Sequence, residues 1–305
     1  MRAEAPVKLR LASVSRLQVT TPQECPSESA IPAINIRLFG TFSLGVGGNR
    51  VDISARLAAI LAYLARRSGS EIPRDRLAGL YWGRMPGEQA RRNVRVALFR
   101  INQLLHSAHP AVPARLIQSF GNFVSLPRRS FLHIDANEFE TVFDDCCSHP
   151  EILAADLLRV QRVVELYRED LLPDLDESWI IEERESLRSK YLSALKFLIL
   201  ACLNENDRRS ALYWCERAMK VDIGDEETTA LAMKIASQMG NRSHAVKTFR
   251  ALALVLRREF GIAPSAEMVD LLRGLTSDPP NPISFEIDVG AIKRSFFGYA
   301  KRPVR

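Results

Sequence analysis

The sequence predicts an α+β, predominantly helical chain in two parts: short strands and three helices first, then an all-α part. Three observations carry that prediction. Short apolar runs bounded by Gly, Asn and Ser occur between Ile34 and Leu126, where they read as strands and turns. In the second half, Asn206-Asp207-Arg208-Arg209-Ser210-Ala211 is echoed by Gly240-Asn241-Arg242-Ser243-His244-Ala245, placing Ala211 and Ala245 34 positions apart. Charge also divides: residues 1–130 hold 19 Lys+Arg against 7 Asp+Glu, and residues 131–305 hold 23 against 29. With 305 residues, 47% of them hydrophobic, the chain can bury a sizeable core and divide into two domains.

The elements follow in order. Apolar residues recur from Ile34 to Leu44, then Gly45, Gly47, Gly48 and Asn49 mark a turn before a second short strand around Val51-Asp52-Ile53. Ser54 is placed to cap a helix whose Leu57, Ile60, Leu61 and Leu64 form one apolar face, ending near Gly69. Pro73 suits the first turn of a second helix, with Leu77, Leu80 and Tyr81 buried and Trp82-Gly83 closing it. The loop Arg84-Met85-Pro86-Gly87 leads to a third helix, from Ala90 to Leu105. Leu116-Ile117-Gln118 and Phe123-Val124-Ser125-Leu126 then flank Ser119-Phe120-Gly121-Asn122, a hairpin with Gly and Asn where the turn needs positive φ. Strands, three helices and a terminal hairpin in this order make a winged helix-turn-helix, the geometry that lays the third helix in the major groove of a duplex.

The third helix has two incompatible faces. At 100° per residue, Val94, Ala97, Leu98, Ile101, Leu104 and Leu105 share an apolar stripe, while Arg92, Arg95, Val96, Phe99, Arg100 and Gln103 point away. Planar guanidinium groups on such a face suit phosphates and the major-groove edge of guanine. The excess of positive charge in the first half agrees, because duplex binding gains from phosphate neutralisation and counterion release. Arg91 lies nearer the buried edge, where snorkelling competes with binding. Phe99 is an exposed aromatic that needs a partner: either the second half of the protein, which is the favoured reading, or bases. In the hairpin, Ser119 and Asn122 are placed to hydrogen-bond phosphates, with Arg115 adding charge.

A family resemblance covers most of the chain. Residues 34–126 resemble the OmpR-type winged helix of the Streptomyces antibiotic regulatory protein (SARP) family, through Asp75-Arg76-Leu77, Leu80-Tyr81-Trp82-Gly83 and the run from Arg92 to Ile101. Residues from about Asp135 to Leu275 resemble the bacterial transcriptional activator domain that follows it there. That match rests on Tyr167, Asp170-Leu171-Leu172-Pro173-Asp174-Leu175, Trp179, Glu182-Glu183-Arg184-Glu185, Leu187-Arg188, Tyr191 and Glu259-Phe260-Gly261-Ile262-Ala263-Pro264-Ser265. The resemblance implies a sequence-specific DNA-binding transcriptional regulator of the activator type, reading bases through Arg92, Val96, Ala97 and Arg100 and phosphates through Asn93, Arg95 and Gln103. Phe99 departs from the polar residue of the family pattern. The loop Gly83 to Glu88 corresponds to the segment that meets RNA polymerase. The implied partners are double-stranded DNA and RNA polymerase, with homodimerisation, effector sensing or contact with the transcription machinery open to the helical domain, and no cofactor. The alternative is a tetratricopeptide-like interaction adaptor whose winged helix does not bind DNA.

Domains are drawn at 1–33 (a disordered arm), 34–130 (winged helix), 131–278 (helical activator domain) and 279–305 (a tail outside the family pattern, with no role assigned to its Phe296-Phe297-Gly298-Tyr299 cluster). The 34-residue echo is the tetratricopeptide period, in which a small Ala lets the helices of a pair approach closely. Enzyme readings fail. Gly45-Val46-Gly47-Gly48 lacks the Lys-Ser/Thr of a phosphate loop, His106 and His109 sit at a frayed helix end, and the acids at 182–185 and 225–227 read as helix surface and a helix N-terminus. The five cysteines (25, 146, 147, 202, 215) include no C-x-x-C pair and read as reduced thiols in a cytoplasmic protein, Cys202 and Cys215 in the core and the Cys146-Cys147 pair more exposed. The longest apolar stretch, Tyr191–Leu203, is too short to span a bilayer and contains Lys196.

Overall fold

The computed structural model describes residues 31–147, 154–277 and 286–297, so residues 1–30 of the expected arm and much of the tail lie outside the described residues. Strands β1 (Ile34–Arg37), β2 (Ser43–Val46) and β3 (Asn49–Arg50) form an antiparallel meander. Along β1, Ile34 and Ile36 turn inward while Asn35 and Arg37 turn out, the two-residue period of a half-buried strand. Gly47 (φ +58°) and Gly48 (φ +84°) make the β2–β3 turn, a backbone open to residues without Cβ. Helix α1 (Ala55–Arg66) begins after Ser54, whose side chain makes no capping hydrogen bond.

Next come β4 (Ile72–Pro73), α2 (Arg74–Trp82), α3 (Gly87–Ala108), β5 (Gln118–Phe120) and β6 (Phe123–Ser125). Pro73 is not in the first turn of α2 but at its N-cap, ending a two-residue strand that pairs with β6. It stands at the edge of the three-stranded wing, order β4-β6-β5, where a missing N–H is tolerated. The wing's turn is two residues long, and of Gly121 and Asn122 only the glycine has positive φ (+53°). The remaining strand, β7 (Leu132–Ile134), pairs parallel to β1 and completes a four-stranded sheet, order β3-β2-β1-β7. A boundary after residue 130 therefore falls inside a shared sheet.

The second part comprises α4 (Asp135–Cys146), α5 (Ala154–Val164), α6 (Ser178–Asn204), α7 (Arg208–Val221), α8 (Glu226–Gln238), α9 (Arg242–Val255), α10 (Ala266–Thr276) and α11 (Val289–Phe297). A π turn, Leu256–Phe260, extends α9 and closes on left-handed Gly261. The sequence echo is a backbone echo. Asn206 (φ +59°) and Gly240 (φ +79°) both leave a helix in the left-handed region. Asp207 N–H then donates to Cys202 C=O and Asn241 N–H to Ala236 C=O, each at 2.8 Å. Asp207 and Asn241 each cap the next helix, accepting from Ser210 and His244 N–H. Ala211 and Ala245 are fully buried behind them. Replacing Asn241 by Ala is expected to cost about 1 kcal/mol, read by thermal unfolding.

One hydrophobic core runs continuously from β1 to α8, and a smaller cluster of Met233, Ala245, Leu252, Leu256, Met268 and Leu275 holds α8 to α10. The two parts are joined by specific polar contacts as well. The half-buried Asp135 carboxylate accepts from the N–H groups of Leu38 (2.8 Å) and Phe39 (3.2 Å). Burial pushes its pKa up despite those donors. At the end of α1, Arg66 donates to Glu183 (2.7 Å), Glu140 (2.9 Å) and Asn137, and Arg67 lies over the rings of Tyr63 and Trp179, which meet edge to face.

Several expectations change. Phe99 is 65% exposed and does not meet the second part; the junction is built instead by β1, β7 and the end of α1. Cys146 is fully buried and Cys147 half-buried, because the last turn of α4 faces the core. Burial pushes the thiol of Cys146 up to about 11 and that of Cys147 up to about 12, which suppresses the reactive thiolate. The tail places Ile287, Ile292 and Phe296 against the main core, where α11 packs on α6 and the Lys196 ammonium lies 4.6 Å from the Phe296 ring.

Candidate nucleic-acid interface

Helix α3 extends beyond the expected limits at both ends, over 22 residues. Its buried residues are Ala90, Val94, Ala97, Leu98, Ile101 and Leu105, so the apolar stripe lies against α1 and α2. Burial of Ala97 removes it from any base-reading role. The opposite face is open. Arg92, Arg95, Val96, Phe99, Arg100 and Gln103 are all exposed, and Asn93 is half-buried.

Among the described residues, Arg92, Arg95 and Arg100 have no carboxylate or hydrogen-bond partner. Their three charges stand unneutralised on one face. Arg91 differs: it is exposed but committed to Asp75, at 2.6 and 3.2 Å. Asp75 also accepts from the Asn122 amide at 3.3 Å. The Arg91 guanidinium, helped by that amide, holds the Asp75 carboxyl below the usual carboxylate range. One carboxylate at the start of α2 thus ties the wing tip to α3.

That tie redistributes the wing residues. Asn122 is exposed, but its amide is engaged with Asp75. Ser119 is exposed and stands opposite buried Val124, hence on the core-side face of the hairpin. The outward groups of the wing are Phe120 (40% exposed) and Phe123 (41%), which face each other across the turn. Sequence reading passed over this aromatic tip, although a two-residue Gly-Asn turn with Phe on each side was the available signal. The α2–α3 connection, Gly83 to Pro86, is exposed, and the Met85 sulfur accepts from the Asn93 amide at 3.3 Å.

His106 Nδ1 contacts the Val112 carbonyl at 2.7 Å, His109 Nδ1 accepts from Ala111 N–H, and no group of three or more His, Cys, Asp or Glu gathers at metal-binding spacing among the described residues. No helix among them is long and apolar enough to cross a membrane.

A family model described as the bacterial transcriptional activator domain matches residues 134–275, from the end of β7 into α10. Those residues are similar to the bacterial transcriptional activator domain, and the match spans a little under half of the chain. The activator domain follows the winged helix directly, the SARP-type order that the sequence resemblance implied. The fold is similar to that of Mycobacterium tuberculosis EmbR, whose structure was determined in complex with a low-affinity phosphopeptide. That likeness covers 88% of this chain and 70% of the EmbR chain, with a TM-score of 0.65 and 16% identity, and is one of fold. Comparison with curated proteins yields no match.

Proposed function

We propose that this chain is a sequence-specific DNA-binding transcriptional activator that lays α3 in the major groove. The observation that carries the reading is the open face of α3, with three exposed arginines lacking any partner among the described residues. A solvated surface helix gains little from leaving like charges unpaired, whereas phosphates neutralise them with release of counterions. In this reading, residues 34–130 form the DNA-binding module and residues 131–278 the activator module, an assignment by function that the shared sheet does not oppose. Val96 faces bases, Arg92 and Arg100 face base edges and the phosphates beside them, and Arg95, Asn93 and Gln103 face phosphates. Ser119 and Asn122 take a lesser part in the wing. The exposed loop Gly83 to Glu88 and the helical domain are the surfaces left for RNA polymerase or a second copy, which suits a cytoplasmic regulator.

Fluorescence anisotropy with the full chain tests the proposal. The expected result is enrichment of a defined sequence from a randomised duplex pool, with binding that weakens steeply as salt rises and resists competitor DNA of arbitrary sequence. Equal displacement by arbitrary DNA would reduce the protein to a non-specific binder. Absence of salt-dependent binding would leave the interaction-adaptor reading.

A further inference from the structure

On the outward face of α3, Arg92, Val96, Phe99 and Gln103 succeed one another at spacings of four, three and four residues, which places all four along the centre line of that face. The middle of the line is apolar. Val96 is 41% exposed and Phe99 65%, and Phe99 belongs to neither hydrophobic cluster. Arg95 and Arg100 flank the pair, and the only acid on α3 is Glu88 in its first turn. A large aromatic held in water at the centre of a cationic face needs an occupant that offers apolar contact and negative charge together.

A second copy of this chain fits poorly. A two-fold contact through this face would set the cations of Arg92, Arg95 and Arg100 against their own copies. The major groove fits both requirements, since phosphates line its walls and its one apolar group is the thymine 5-methyl. We propose that Val96 and Phe99 read thymine through that methyl group. The inference rests on α3 entering the major groove and adds the base it selects there. Arginine on the same line recognises guanine O6 and N7, so the preferred half-site combines guanine with one or two thymines. Phe99 is a specificity residue in this account, and removing it relaxes one position of the site without weakening phosphate contacts.

The test uses the duplex that the full chain enriches from a randomised pool. Each thymine is replaced in turn by deoxyuracil, which deletes the methyl and keeps the base-pairing edge. Burial of one methyl supports a penalty of about four-fold in Kd at the positions that Val96 or Phe99 touches. In Phe99→Ser or Val96→Ser, the penalty at the matching position is expected to fall to about two-fold or less, with the salt slope and thermal midpoint unchanged. A selected site without a thymine preference would overturn the proposal, as would a deoxyuracil penalty that is absent in the parent or equal in both variants. A chain that enriches no duplex overturns the DNA reading itself. One that binds its duplex but ignores the methyl overturns this inference alone.

Discussion

The full chain carrying Arg92→Ala and Arg100→Ala is expected to bind its selected duplex on the order of 100-fold more weakly, with the slope of log K against log salt shallower by about two. Both effects come from one fact. The two guanidiniums are exposed and have no partner among the described residues, so their charge is available to a polyanion. For the same reason the folded state loses nothing when they go, and thermal unfolding should be unchanged. Arg91→Ala is the informative contrast. Arg91 is exposed on the same helix, but its charge is spent on Asp75, which also receives the Asn122 amide. Its removal should leave the salt slope nearly intact and release the wing tip, seen as faster exchange of the β5–β6 amides. Equal effects of the two changes would mean that exposure alone, not freedom from partners, selects the binding arginines.

The contrast also shows what was legible in the sequence. Helix α3 was legible because its 3.6-residue periodicity persists over several turns, and periodicity decides which residues face the core. It could not say that Arg91 and Asn122 share a carboxylate with each other, because Asp75 lies on another helix and the contact exists only after folding. Strands β4 and β7 were illegible for a similar reason: two- and three-residue strands carry no alternation, and their partners lie far along the chain. The favoured reading of Phe99, packing on the second half, failed because a large apolar residue on a polar face suggests an intramolecular cover, and the junction is already filled by the continuous core, by β1 and β7 and by Arg66, Arg67, Tyr63 and Trp179. The echo at 206–211 and 240–245 was legible as a 34-residue period with a small Ala, but its caps at Asp207 and Asn241 and the left-handed residues before them emerged only with the backbone.

Arg66→Ala is expected to do the reverse of the double change: to lower stability and leave DNA contacts in place. The Arg66 side chain is 7% exposed and meets Glu140, Glu183 and Asn137, so its loss strands two partly buried carboxylates between the winged helix and the activator domain. A fully buried charge left without its partner costs more than the pair ever contributed. Here the cost is moderated, because Lys190 still holds Glu140 at 2.6 Å and Arg67 still holds Glu183 at 3.0 Å. About 2 kcal/mol is expected, measured by denaturant unfolding. The acid limb should change with it. Burial pushes the Glu140 carboxyl up, but Lys190 and Arg66 together outweigh burial and hold its pKa below the ordinary value of 4.5. Its contribution is therefore complete above about pH 4.5 and is lost as pH falls through the lower folded value. Without Arg66 that acid dependence should flatten. Since β1, β7 and one continuous core also span the junction, unfolding should remain a single cooperative transition, and the variant that still folds should enrich the same duplex with the same salt slope. A shift in sequence preference instead would show that the junction, and not α3 alone, sets how the reading helix meets its groove.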